Sequence, residues 1–198
     1  MSFSAVDDSV LIRQSQAGDR AAFDSLMRKY EARAYQYAYR LTHDQEIAGD
    51  IVADAFIRVY SALANFRGQS AFGTWLYRIL TNCYLDFRKK EKTRQHLSLD
   101  SAATPEGSEF ERQIEDERPG PSEEAERTER EAIVQTALTM MPEYQQAMLV
   151  MYHVENLSYE EISDALDLPI GTVKSRLNRA RVALRDHLMK DAELFQMG

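Results

Sequence analysis

The chain is predicted to be all-α: two helical domains joined by a flexible acidic linker, the second domain containing a helix-turn-helix. Three observations carry this. Apolar residues recur at helical spacing on both sides of the centre, and nothing alternates as a strand would. The centre, residues 97–130, reads LSLDSAATPEGSEFERQIEDERPGPSEEAERTER and has few large apolar residues. Residues 157–185, LSYEEISDALDLPIGTVKSRLNRARVALR, read as two short helices around a tight turn.

The first domain, 1–96, breaks into four helical segments. Val10–Ala17 is short and amphipathic, and Gly18-Asp19 ends it. Ala21–Leu41 places Phe23, Leu26, Met27, Tyr30, Ala34, Tyr37, Ala38 and Leu41 on one wide apolar stripe. Asp44 is positioned to cap the next helix, Gln45–Leu63, in which Ile47, Ile51, Ala55, Val59 and Leu63 share a face. Asn65–Ala71 contains Gly68 and reads as a loop. Phe72–Lys90 is the fourth helix, with Trp75, Leu76, Ile79, Leu80 and Tyr84 inward.

The linker, 97–130, contains Pro105, Gly107, Pro119, Gly120 and Pro121 among many acids, so it cannot bury enough apolar surface to fold alone. A short helix is expected near Phe110–Ile114. The second domain, 131–198, begins with Ala132–Met141, stopped before Pro142, and continues with Glu143–His153.

In the helix-turn-helix, Leu157, Ile162, Leu166 and Leu168 form one buried face. Ser158 with Glu161 makes the capping-box pattern. Pro169 and Gly171 are assigned to the turn, and Thr172 to the cap of the second helix. Val173, Leu177 and Ala180 then face inward, which leaves Lys174, Ser175, Arg176, Asn178, Arg179 and Arg181 outside. Such a helix suits the major groove: phosphates attract Lys and Arg, and Arg or Asn can read base edges. An ordinary amphipathic helix with a solvated basic face is the alternative.

Charge and composition exclude several classes. The net charge is −8 over 198 residues, but residues 1–96 are net +3, 97–131 net −8 and 132–198 net −3. The acidic balance therefore belongs to the linker, and Lys174 to Arg185 still holds five bases. Exposed charges beyond about 8–10 Å are largely screened in physiological salt, so local charge governs groove docking. No apolar run is long enough for a membrane span, and MSFSAVDDSV is unlike a secretory signal, so a cytoplasmic location is expected. The single cysteine, Cys83, reads as a small buried hydrophobe. His43, His96, His153 and His187 are too scattered for metal-ligand spacing. Gly-rich phosphate loops and nucleophile motifs are missing, so no enzyme, cofactor or metal is expected. Asp50 and Asp54, one helical turn apart, read as a binding face rather than a catalytic carboxylate pair.

A second nucleic-acid surface is expected at the end of the first domain, where Arg88, Lys89, Lys90, Lys92 and Arg94 follow Phe66, Arg67, Phe72, Trp75, Tyr77 and Asn82. Cations that track a backbone, beside rings that stack on unpaired bases, are what single-stranded DNA needs. Trp75 reads as core. Phe66 and Phe72 bracket the loop and fit either core or stacking, and the basic run also fits a solvated helix end.

The stretches DIVADAFIRVYSAL (50–63), FRGQSAFGTWLYRI within 65–82 and the helix-turn-helix together resemble bacterial RNA polymerase sigma factors of the extracytoplasmic function (ECF) group, in the sigma-70 family. The helix-turn-helix alone would also suit LuxR-type regulators. The resemblance implies that residues 10–95 and 130–188 correspond to the family's two domains, with only a tether between. It implies that 50–60 docks on the clamp helices of the largest subunit of core RNA polymerase through Asp50, Ile51, Asp54, Phe56 and Arg58; many members carry Gln where this chain has Ala53. It implies capture of the melted −10 element by Phe66, Arg67, Phe72, Asn82, Arg88, Lys89 and Lys90, and reading of the duplex −35 element by Thr172, Lys174, Ser175, Arg176, Asn178, Arg179 and Arg181. Promoter DNA and an anti-sigma factor are the further partners implied. The competing reading is a two-domain helix-turn-helix regulator that does not engage polymerase.

Overall fold

The structure, a computed structural model, describes residues 7–100 and 132–196. All regular elements among the described residues are helical. In the first domain these are α1 (Asp8–Gln16), α2 (Arg20–Thr42), α3 (Gln45–Ala62), a 3₁₀ turn (Leu63–Asn65) and α4 (Phe72–Asp100). In the second they are α5 (132–139), α6 (Glu143–His153), α7 (Tyr159–Leu166) and α8 (Ile170–Gln196).

The first three helices of this domain start at short acids. Asp7, Asp19 and Asp44 accept hydrogen bonds from the first-turn amides of α1, α2 and α3, satisfying donors that have no partner within the helix. Gly18, at φ +96°, supplies the left-handed turn between α1 and α2. The apolar stripe of α2 buries Leu26, Met27, Ala34, Tyr37, Ala38 and Leu41 against Ile51, Ala55 and Val59 of α3 and Leu76, Leu80 and Cys83 of α4. Deep in this core, Tyr37 Oη lies 2.7 Å from Thr81 Oγ1, and burial pushes the phenol far above its ordinary range. Cys83 is buried and free, as the sequence reading has it.

α4 runs to Asp100, past the expected helix end at Lys90 and past the expected domain limit at residue 96. The basic run is therefore helical throughout, in keeping with the helix propensity of Lys, Arg and Glu. The segment Phe110–Ile114 and most of the linker lie outside the described residues.

The helix-turn-helix keeps its capping box: Glu161 N donates to Ser158 Oγ at 3.1 Å, and Ser158 N to Glu161 Oε2 at 2.8 Å. Its turn differs from expectation. Asp167, at φ 53°, makes the reversal, and α8 starts at Ile170. Pro169 precedes the helix, and its carbonyl accepts from Thr172 N (2.8 Å) and Val173 N (3.1 Å). Gly171 and Thr172 are consequently first-turn residues, so Thr172 does not cap α8. Proline's fixed φ and missing N–H suit a helix start.

The two domains pack on each other. Gln146 is 2% exposed: its Nε2 donates to Leu41 O (3.1 Å) and its Oε1 accepts from Tyr84 Oη (2.8 Å). Gln135 Nε2 donates to Arg40 O at 2.9 Å. The second domain thus supplies donors to the unpaired carbonyls at the C-terminus of α2. Tyr77 Oη donates to Glu155, and Glu143 and Asp167 pair with cations of α4.

Candidate polymerase and nucleic-acid surfaces

The outer face of α3 exposes Asp50, Ala53, Asp54, Ile57 and Tyr60. Ile51 is not part of it. At 3% exposed it belongs to the core, because it shares the inward stripe with Ala55 and Val59, and its assignment as a polymerase contact is corrected. Phe56 is half-buried against the core. Arg58 is exposed and turned toward α4, with Nη1 2.9 Å from Asp86 Oδ2. The sequence reading passed over two large apolar side chains on this face, Ile57 (65% exposed) and Tyr60 (61%). A polar-outward stripe interrupted by isoleucine and tyrosine was the signal for them, since contiguous exposed apolar surface marks an interaction site.

The α3–α4 loop carries Phe66, Arg67 and Gly68. Gln16 of α1 fixes its start, donating through Nε2 to Leu63 O (2.9 Å) and Phe66 O (2.8 Å). Gln16 itself lies outside the motifs quoted above. Phe66 is half-buried, its ring centroid 4.8 Å from that of Trp75 and 6.0 Å from that of Phe72. Phe72 is 3% exposed and packs edge-on to Tyr30, so it supports the loop from below and is unavailable for DNA, which corrects its assignment. Trp75 is half-buried rather than core. Arg67 and Asn82 are exposed.

Asn82 does not sit at the loop itself. It lies seven residues beyond Trp75 on α4, about 10 Å further along the axis. Helical spacing nevertheless places Trp75, Arg78, Asn82 and Lys89 along one side of α4. They define a track rather than a pocket. Lys90 is exposed, and Arg88 is half-buried, with Nη1 2.8 Å from Glu91 Oε2.

On α8, Val173, Leu177 and Ala180 are wholly buried, as the spacing predicts. Ser175, Asn178 and Arg179 stand opposite that seam and are exposed. The flanking cations lean on aromatic faces of the same domain: Arg176 lies 5.3 Å from the Tyr144 centroid, Lys174 5.6 Å from Tyr159 and Arg181 4.6 Å from Tyr152. Arg181 Nε also donates to His153 Nε2 at 3.1 Å, and burial together with this guanidinium holds the imidazole pKa below its ordinary value. The face most open to a duplex is therefore Ser175, Asn178 and Arg179. Thr172 lies at its edge, half-buried, with its carbonyl accepting from Ser175 Oγ (3.0 Å).

Among the described residues, no three His, Cys, Asp or Glu side chains come together as a metal site would need, and no helix is long and apolar enough to cross a membrane.

Two helical domains, the second a helix-turn-helix with an exposed cationic helix, have the architecture of a DNA-binding protein. Residues 26–94 match Sigma-70 region 2, and residues 131–184 match Sigma-70 region 4. The RNA polymerase sigma-H factor of Pseudomonas aeruginosa is 38% identical over 180 residues, which cover 89% of this chain and 91% of that protein. The ECF RNA polymerase sigma factor SigW of Bacillus subtilis is 34% identical over 177 residues, covering 89% and 94%. Among solved structures, CnrH in complex with the cytosolic domain of CnrY has the same fold, with a TM-score of 0.65 at 24% identity over 93% of this chain and 98% of that one. Bartonella quintana RpoE in complex with the anti-sigma factor NepR gives 0.61 at 23% identity over 84% and 96%. The chain belongs to the sigma-70 family, as an ECF-type sigma factor that binds RNA polymerase.

Proposed function

We propose that three surfaces divide promoter recognition among them. The outer face of α3, through Asp50, Asp54, Phe56, Ile57, Arg58 and Tyr60, docks on the clamp helices of the largest polymerase subunit. The loop with Phe66 and Arg67, continued by Trp75, Asn82, Lys89 and Lys90 on α4, captures the −10 strand once it is unpaired. α8 reads the −35 element as duplex. The domains act as units 1–96 and 131–198, with the acidic tether between them. No step here requires a chemical transformation, a metal or a cofactor. In this reading the protein acts in the cytoplasm with the polymerase, and a protein antagonist of the kind seen with the structural relatives is the natural partner in its resting state.

The single observation carrying the −35 assignment is that Asn178 and Arg179 stand exposed opposite the buried seam of α8. A bidentate Arg–guanine or Asn–adenine contact is worth about 1–3 kcal/mol against the wrong base, whereas a phosphate contact lowers binding to all sequences alike. Arg179→Ala in the holoenzyme therefore costs about 5- to 150-fold on a cognate promoter duplex and much less on a scrambled one. Arg181→Ala, which removes a side chain already engaged with Tyr152 and His153, costs less specificity. Titration of both variants on both duplexes decides it; equal losses for Arg179→Ala on both would make that residue a phosphate contact.

The −10 assignment has its own test. Extruding a base costs a few kcal/mol of stacking, which a polar and aromatic surface can offset only after strand separation. Asn82→Ala should leave initial promoter binding by the holoenzyme nearly intact and reduce permanganate reactivity of exposed thymines on a linear promoter. A pre-melted bubble should restore only part of the loss. Unchanged opening would remove Asn82 from the strand track.

A further inference from the structure

We propose that Tyr152 and His153, side by side at the end of α6, are positioning residues for duplex binding. They hold the Arg181 guanidinium, and through Tyr159 the Lys174 ammonium, in place for two backbone phosphates beside the bases that α8 reads. The inference rests on the assignment of α8 to the −35 duplex and extends it to residues of another helix.

Arg181 is held from several sides at once. Its guanidinium lies 4.6 Å from the centroid of the Tyr152 ring, and its Nε donates to His153 Nε2 at 3.1 Å. The His153 ring in turn stands edge-on to Tyr152, with centroids 4.9 Å apart and planes at 78°. Tyr152 stacks on Tyr159, the first residue of α7, at 5.1 Å and 23°. Tyr159 Oη accepts hydrogen bonds from Tyr152 and Arg181, which hold its phenol below the ordinary pKa. The Tyr159 ring also carries Lys174 Nζ at 5.6 Å. One array of rings thus joins α6, α7 and α8 and fixes two cations of α8.

The place of these cations suits phosphates rather than bases. Helical spacing puts Lys174 and Arg181, seven residues and about 10 Å apart, on one flank of α8, with Ser175 and Asn178 facing outward beside them. In a helix-turn-helix the outward residues of the second helix meet base edges, while the first helix crosses the backbone. Tyr159 opens that first helix. Arg185, next along the same flank, is paired instead with Asp186 of its own helix, at 2.8 Å. A long cationic side chain loses rotamer freedom when it grips a phosphate, and one already laid on a ring loses less. The gain is independent of sequence, because phosphates carry no base identity.

The test uses holoenzyme assembled with core polymerase, titrated on a promoter duplex and on its scrambled counterpart. His153→Leu removes the acceptor at an exposed position, where replacement costs the fold little, and Tyr152→Leu removes the ring. His153→Gln and Tyr152→Phe keep the acceptor and the ring face. The expected result is a loss of about three- to tenfold for either leucine variant, alike on both duplexes, with the conservative variants within about twofold of the parent. Arg181→Ala should make the log–log salt dependence shallower by about one, as loss of a phosphate contact does. In that background His153→Leu should cost nothing further, whereas a merely structural role would cost the same again. Parent-like affinity in both leucine variants would overturn the positioning role while leaving α8 as the reader. So would a loss confined to the promoter duplex, or a full loss from His153→Leu in the absence of Arg181. Unchanged duplex binding by Arg179→Ala and Arg181→Ala alike would instead remove α8 from the duplex, and the positioning role with it.

Discussion

Ile57→Asp is expected to weaken binding to core RNA polymerase by about 30-fold or more, the scale of a loss of roughly 2 kcal/mol at the centre of an interface. The side chain is 65% exposed in the free chain, so the substitution costs the fold little. In the complex it would place an unpaired charge in a desolvated apolar contact. Asp54→Arg on the same face reverses a charge and should act in the same direction, chiefly on association rate and its salt dependence. Both variants should keep the parent's circular dichroism and its binding to −35 duplex. Ile51→Ala is the informative contrast: it removes a core side chain, so it should lower the melting temperature rather than affinity at a temperature where the chain is folded. Fluorescence anisotropy of labelled protein titrated with core enzyme reads these outcomes directly. Unchanged affinity in both Ile57→Asp and Asp54→Arg would move the docking surface off α3.

Leu177→Ala is expected to cost about 2–5 kcal/mol, the range for emptying a fully buried leucine site. Leu177 is wholly buried between Val173 and Ala180 on the seam that holds α8 against α6 and α7. A small helical domain has only a few kcal/mol to lose. The second domain of the variant should therefore unfold well below the parent's transition, and −35 binding should go with it. Core binding through α3 should survive at temperatures where the first domain is folded. Leu177→Met, close to volume-conserving, should cost less than about 1.5 kcal/mol and retain duplex binding. Thermal melts followed by circular dichroism, paired with duplex titrations at low temperature, distinguish lost folding from a lost contact. A parent-like melt in Leu177→Ala would mean that α8 does not pack as described.

Most of the helical framework was legible in sequence because local rules and packing agree there. Asp44, Ser158 and Glu161 cap as their spacing predicts, and Val173, Leu177 and Ala180 turn inward. Errors fall where one motif serves two purposes. DIVADAFIRVY is both a core stripe and an outward face: the motif match points Ile51 at the partner although its spacing puts it in the core, and the outward Ile57 and Tyr60 carry no motif signal of their own. Phe72 is ambiguous in sequence for the same reason: an aromatic beside a loop can stack on a base or hold the loop, and only its burial against Tyr30 decides it. Pro169 and Gly171 read in sequence as the turn itself, but proline is as well suited to open a helix, and Asp167 makes the reversal.

What could not be read from sequence depends on distance across the fold. Gln16 holding the loop, Gln146 bonding to Leu41 O and Glu143 meeting Lys92 join residues separated by 47 to 105 positions in the Gln16 and Gln146 cases. Nothing local distinguishes those side chains from other surface polars. The same holds for the choice among the α8 cations, since Arg176 and Arg181 are set apart from Arg179 by the side chains of α6 beside them, Tyr144 for the first and Tyr152 with His153 for the second.

In the proposed function this chain carries polymerase to particular promoters through these surfaces. Run-off transcription on fragmented DNA from the source genome, with core RNA polymerase and either the parent or Ile57→Asp, tests it most directly. Discrete transcripts are expected with the parent, none with core alone, and a strong reduction with Ile57→Asp at equal concentration. A parent protein that binds core enzyme or promoter duplex yet yields no discrete start on any fragment, or a variant as active as the parent, would contradict it.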